Sequence, residues 1–99
     1  MKTTGTKHDQ EKPRLDLLPW AELEEVVRVL TFGAAKYSPD NWKSVQDGRS
    51  RYLAAALRHI AQVGLNQPLD AETGLSHYAH AICSLLFAHW HEKNGGAKP

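Results

Sequence analysis

Cysteine is nearly missing from this chain: among 99 residues there is only Cys83, so neither an intramolecular disulfide nor a cysteine-based zinc site can form. A long apolar run is missing too. No stretch approaches the roughly 20 residues of a membrane span, and no N-terminal segment reads as a signal sequence, so a soluble cytoplasmic protein without a membrane partner is expected. Charge of one sign is also lacking. Twelve basic residues against eleven acidic ones leave +1 with neutral histidines, which gives no electrostatic footing for duplex nucleic acid. Period-two alternation of strand type is absent as well.

What remains is a globular composition, 41% hydrophobic and 23% charged, at a length near the lower limit for a self-sufficient core. So short a chain leaves helical faces uncovered, and a homo-oligomer is the natural supplement. Residues 1–11 are polar and read as a flexible arm. Residues 12–92 read as one all-α domain, a small bundle of three main helices plus an extended N-terminal segment, and residues 93–99 as a frayed tail. In that extended segment Pro13 and Pro19 bracket a stiff stretch of chain expected to pack.

The first helix is expected over Trp20 to Lys36, with Leu23, Val26, Val27, Leu30 and Ala34 as its core stripe. Glu24 can pair with Arg28 one turn later, and Gly33 suggests close approach by another element. Ser38-Pro39-Asp40-Asn41 is a turn, and a loop carrying Trp42 leads to Ser50, the expected N-cap of a second helix over Arg51 to Val63, with Gly64 as C-cap. Thr73 or Ser76 caps a third helix running to about Glu92.

Four groups carry chemistry. Glu22, Glu24 and Glu25 crowd the first helix, and carboxylates three residues apart can share a hard divalent cation or simply favour the helix N-terminus. His59 on the second helix and His77-x-x-His80 on the third can ligate a metal, act as a base, or satisfy one another across an interface. Arg51, Ala55, Arg58, His59 and Gln62 form one stripe, and a matching stripe on the third helix could enclose a polar site with it. His89 and His91 are accounted for by the helix C-terminus. The third group is cationic: Lys12, Arg14, Lys36, Arg51 and Arg58 are candidates for clamping phosphates. The fourth is Asp70, which either completes a cation site or makes a turn through its side chain. Asn41 and Trp42 are candidates for reading and stacking on a base, although Trp42 fits a core as well.

The stretches Lys12–Pro19, Glu24–Tyr37, Asn41-Trp42, Arg51–His59 and Gly74–Ala81 together resemble the phage-associated dATP/dGTP diphosphohydrolase N-terminal-like family, over about residues 9 to 92. That family is regarded as related to the MazG-like all-α nucleotide pyrophosphohydrolases. The resemblance implies a dimeric or tetrameric helical bundle in the cytoplasm of an infected bacterium. It further implies use of Mg2+ or Mn2+ to split a purine deoxynucleoside triphosphate into monophosphate and pyrophosphate.

One departure stands out: where a second acidic pair is expected, this chain has His77-x-x-His80, and imidazoles suit magnesium poorly. A softer metal, phosphate contact by the histidines, or loss of catalysis would each follow from it. On the enzymatic reading Glu25, His59, His77 and His80 are catalytic candidates, and Glu22, Glu24, Glu25, Asp70 and His77 hold the metal. Lys12, Arg14, Lys36, Asn41, Trp42, Arg51 and Arg58 meet the nucleotide. A non-catalytic helical module binding a nucleotide or a host protein is the alternative.

Overall fold

A computed structural model describes residues 10–95. The expected arm lies outside the described residues apart from its last two, and the tail outside them beyond Gly95. Among the described residues there are three helices and no strands: α1 (Trp20–Lys36), α2 (Gly48–Gly64) and α3 (His77–Asn94), with short 3-10 turns at Leu15–Leu17 and Asn41–Ser44. The all-α expectation is met. The only strand-like feature among the described residues is an isolated antiparallel bridge between Leu69 and Ser76.

Helix α1 has the predicted limits. Pro19 precedes it, and the Pro19 carbonyl accepts the first intrahelical bond from the Leu23 N–H at 3.0 Å. The Glu24–Arg28 pair forms at 3.1 Å on an exposed face, where such pairs contribute about 0.3–0.5 kcal/mol. The core stripe needs correction. Val26 is buried and Leu23 and Val29 pack beside it, whereas Val27 and Leu30 are exposed. The reason is that α1 leans on α3 alone and makes no comparable seam with α2, so only one edge of its apolar face is covered. Cys83 of α3 anchors that seam, its thiol donating to the Val26 carbonyl at 3.4 Å.

Helix α2 begins three residues earlier than expected. Its N-cap is Asp47 in the left-handed conformation (φ 56°), not Ser50, and helix starts at Gly48. The early start is permitted by close packing. Gly48 is buried, and a Cβ there would run into the His91 ring. Close approach at a glycine therefore occurs at Gly48, while Gly33 has nothing within 4 Å of a built Cβ. His91 is likewise no simple helix-end cation. It is buried, its Nε2 donates to the Trp42 carbonyl at 2.8 Å, and it ties α3 to the 3-10 turn.

The other end of α2 also differs in detail. Gly64 is the last helical residue, and the left-handed position falls to Asn66 (φ 62°). Asn66 N–H donates to the Val63 carbonyl and Gln67 N–H to the Gln62 carbonyl, the paired bonds that close a helix C-terminus. Helix α3 is capped by Ser76, whose hydroxyl accepts from the Tyr78 N–H at 2.9 Å. The α2–α3 interface is the most extensive among the described residues, lined by small residues such as Ala56, fully buried, and Ala81 and Ala88. The proline-bracketed segment is exposed, with Leu15 and Leu17 about two-thirds accessible, so in this chain it does not pack as expected.

Candidate functional site

The tight α2–α3 seam carries three imidazoles at its mouth. His59 on α2 faces His77 in the first turn of α3, Nδ1 to Nδ1 at 2.8 Å, and one ring donates to the other. His80, one turn further along α3, stacks on His59 with ring centres 4.6 Å apart and planes 16° from parallel. His77 is buried and the other two are half-buried. Burial lowers the pKa of both His59 and His80, and the neighbouring imidazoles push the same way, so the neutral rings are favoured.

The connection from α2 to α3 delivers the acid. Asp70 Oδ1 accepts from the N–H groups of Glu72 and Thr73, both at 2.9 Å, and from the Thr73 hydroxyl at 3.2 Å. Asp70 thus makes the turn and also reaches the cluster. Further bonds lock the loop: Gly74 N–H to the Asp70 carbonyl, Asp70 N–H to the Leu75 carbonyl, and His77 N–H to the Pro68 carbonyl. Gly74 supplies the positive φ (72°) that the turn requires. Burial alone would raise the Asp70 carboxyl. The Thr73 N–H, the His80 imidazole, the Thr73 hydroxyl and the Glu72 N–H outweigh it and hold the group below its ordinary range.

Thr73 also fixes a tautomer. Its oxygen lies 2.7 Å from His80 Nε2, and its single proton is directed to Asp70. In that arrangement His80 Nε2–H donates to Thr73 and Nδ1 keeps a lone pair. His59, Asp70 and His77 each offer a ligand atom, all within 4.8 Å of one another, and they come from α2, the loop and α3.

A groove of about 820 Å³ opens beside this cluster, between α1 and α3. His80, Thr73 and Glu72 stand on its wall, with Lys36, Asn41 and Trp42 further along, and Cys83 and Ser84 also line it. Its lining is mostly apolar, and burial pushes the Cys83 thiol up to about 11, so that thiol is no nucleophile at neutral pH. Lys36 is paired with Glu72 at 2.8 Å across the rim. Trp42 stacks on Phe87 with ring centres 4.3 Å apart, meets Trp90 and His91 edge-on and carries Lys43 over its ring, so its contacts are already internal.

The remaining predicted residues are placed elsewhere. Glu22 and Glu24 are exposed, and Glu24 is spent on Arg28. Glu25 accepts from the Ser76 N–H at 2.9 Å, so it braces the start of α3 from α1. These three glutamates do not join the His59–Asp70–His77 group, contrary to the expected gathering of the metal ligands: the Glu25 carboxylate is engaged at the start of α3, and the α1–α3 seam beyond it is the apolar contact of Val26 with Ala79 and Cys83. Lys12, Arg14, Arg51 and Arg58 are exposed and outside the groove lining; Arg14 pairs with Asp16, and Arg51 reaches the Gln46 carbonyl. Thr73 is the site residue that sequence reasoning saw only as a cap, although its spacing from Asp70 is a turn signature.

The model for the family "dATP/dGTP diphosphohydrolase, N-terminal" matches residues 2–98. A protein named dATP/dGTP diphosphohydrolase from Salmonella phage PMBT28 is 41% identical over 87 residues, covering 88% of this chain. This chain spans 29% of that protein's length. No solved structure matches. The family match runs through the helices that carry His59, His77 and His80 and the loop that carries Asp70, and on it this chain belongs to the dATP/dGTP diphosphohydrolase N-terminal family.

Proposed function

We propose that this chain handles a purine deoxynucleoside triphosphate and hydrolyses it to monophosphate and pyrophosphate, in the cytoplasm of an infected bacterium. The observation that carries the reading is the meeting of an apolar groove with a polar His–Asp cluster at His80 and Thr73. A nucleotide needs both surfaces: apolar walls for the base and sugar, polar groups at one end for the phosphates.

In this reading the nucleoside lies along the groove, with the Asn41 amide available to a base edge. Lys36 meets the phosphates, for which an incoming polyphosphate must displace Glu72. His80 is the general base, because its neutral form is favoured and its Nδ1 lone pair is uncommitted. Asp70 and Thr73 orient it through Nε2. Magnesium does not fit the cluster well, since two of its three converging donors are imidazoles. A manganese-like ion fits better, held by His59, Asp70 and His77. When bound, it would neutralise phosphate charge and lower the pKa of a coordinated water. The apolar surface left open on α1 and α3 supports a homo-oligomer.

The test is turnover of a panel of deoxy- and ribonucleoside triphosphates with Mg2+ and Mn2+ separately, products resolved. Manganese-favoured release of pyrophosphate from dATP or dGTP, lost by about 100-fold or more in His80→Ala, is expected. Diphosphate plus phosphate as products would move the cut to the other bond. Silence of folded protein across the panel would favour a nucleotide-binding module instead. That second reading is supported by the 29% coverage of the phage relative and by the exposed, ungathered glutamates.

A further inference from the structure

We infer that His59, Asp70 and His77 form a binding site for a first-row transition metal ion of the zinc, cobalt or manganese kind, selective against magnesium, with His80 and Thr73 as its outer support. The inference deepens the proposed function, whose metal it identifies by class, but it stands on donor geometry and is tested without nucleotide.

The donors converge from three separate segments. His59 Nδ1 and His77 Nδ1 are 2.8 Å apart, and a carboxylate oxygen of Asp70 lies within 4.8 Å of a ring nitrogen of each. Two nitrogens each about 2.0–2.1 Å from one ion stand roughly 2.9 Å apart at right angles and about 3.4 Å apart in a tetrahedron. Little movement separates the observed pair from either geometry. Two imidazoles and one carboxylate make a donor set for transition ions, whereas Mg2+ prefers an all-oxygen shell and keeps its waters.

The geometry also suits the cluster to an ion better than to a bare hydrogen bond. The Asp70 carboxylate is held in place, since Oδ1 takes three bonds from the Asp70–Thr73 turn, the second layer of support that metal ligands use to fix their orientation. His77 sits in the first turn of α3 and is braced by its N–H bond to the Pro68 carbonyl, so its ring position is set by backbone.

The test uses the full chain, stripped of metal by chelator and titrated by calorimetry with Zn2+ and with Mg2+. Titration with Co2+ is read by its visible absorption. One Zn2+ per chain, a cobalt spectrum of nitrogen–oxygen coordination, and no competition from millimolar Mg2+ are expected. His59→Gln and Asp70→Asn should each weaken Zn2+ by about 10–100-fold, while His89→Ala, an exposed histidine, should leave it unchanged. Circular dichroism confirms folding of each variant, and the conservative His59→Gln keeps the test open if Asp70→Asn does not fold. Absence of stoichiometric binding, equal binding of Mg2+, or binding indifferent to both His59→Gln and Asp70→Asn would overturn the site. Metal binding without turnover would leave the site standing and remove only the hydrolytic reading. Turnover without metal binding by these residues would do the reverse.

Discussion

The two seams of α3 are built on opposite plans. Against α2 it packs through alanines and Gly48, close enough that a single methyl at Gly48 meets the His91 ring, and the polar groups at the mouth of that seam are all paired with one another. Against α1 it makes one narrow contact, Val26 on Cys83 and Ala79, and then diverges into an apolar groove with Leu30 and Leu86 exposed along it. The closed seam can hold side chains to a fraction of an ångström, which a catalytic or metal cluster needs. The open seam can admit a molecule. A site at their junction has both properties, and His80 and Thr73 are the residues of the cluster that also line the groove.

The sharpest break of this contrast is a pair of substitutions. Gly48→Ala overpacks the closed seam and should lower stability by about 1–3 kcal/mol. Leu30→Ala, on the open seam, should cost less than about 1 kcal/mol. Denaturant midpoints at unchanged slope decide it, and equal losses would mean the groove is not open in solution. Next in size is Ser76→Ala, which removes the cap of α3 and should cost about 1 kcal/mol. Glu25→Gln weakens the separate bond donated by the Ser76 backbone N–H and should cost more than Glu22→Gln, whose carboxylate is exposed, as denaturant midpoints of the two variants would show.

Smaller still is Glu24→Gln, which breaks an exposed pair and should change the midpoint by no more than about 0.5 kcal/mol, vanishing at high salt. A further prediction is read for its sign. In the metal-free protein His59 and His80 have folded pKa values below the ordinary 6.5, facing His77, Asp70, Arg58 and Glu72. The unfolded chain therefore binds protons first as pH falls. Stability from these groups is complete above pH 6.5 and is lost as pH drops from there through the lowered values, so thermal midpoints should fall between pH 7.5 and 5. A flat profile there would show that the rings are not held neutral.

Legibility followed the range of the interaction. The limits of α1, the Glu24–Arg28 pair and the Ser76 cap depend on residues a turn or less apart, and they stand in the sequence as proline, spacing and hydroxyl. The start of α2 lies outside that range: Ser50 is a good cap by composition, while Asp47 wins because Gly48 lets α2 nestle under His91. The buried edge of α1 depends on distant chain for a related reason: an apolar stripe says which residues can be buried, not how many neighbours will arrive to bury them.

The histidines show the same boundary at the site. Their spacing alone put His77 and His80 on one side of α3 and His59 on a comparable stripe of α2, because helix periodicity is a local property. Sequence also determined that at most one cysteine was available to assist them. That His59 meets His77 rather than solvent, that Asp70 joins them while Glu22 and Glu24 do not, and that Thr73 fixes the His80 proton were decided by tertiary structure alone. Those choices depend on how closely α2 packs on α3 and how far α1 stands away, which is a property of side-chain volumes meeting across the seam and is carried by no single segment of the chain.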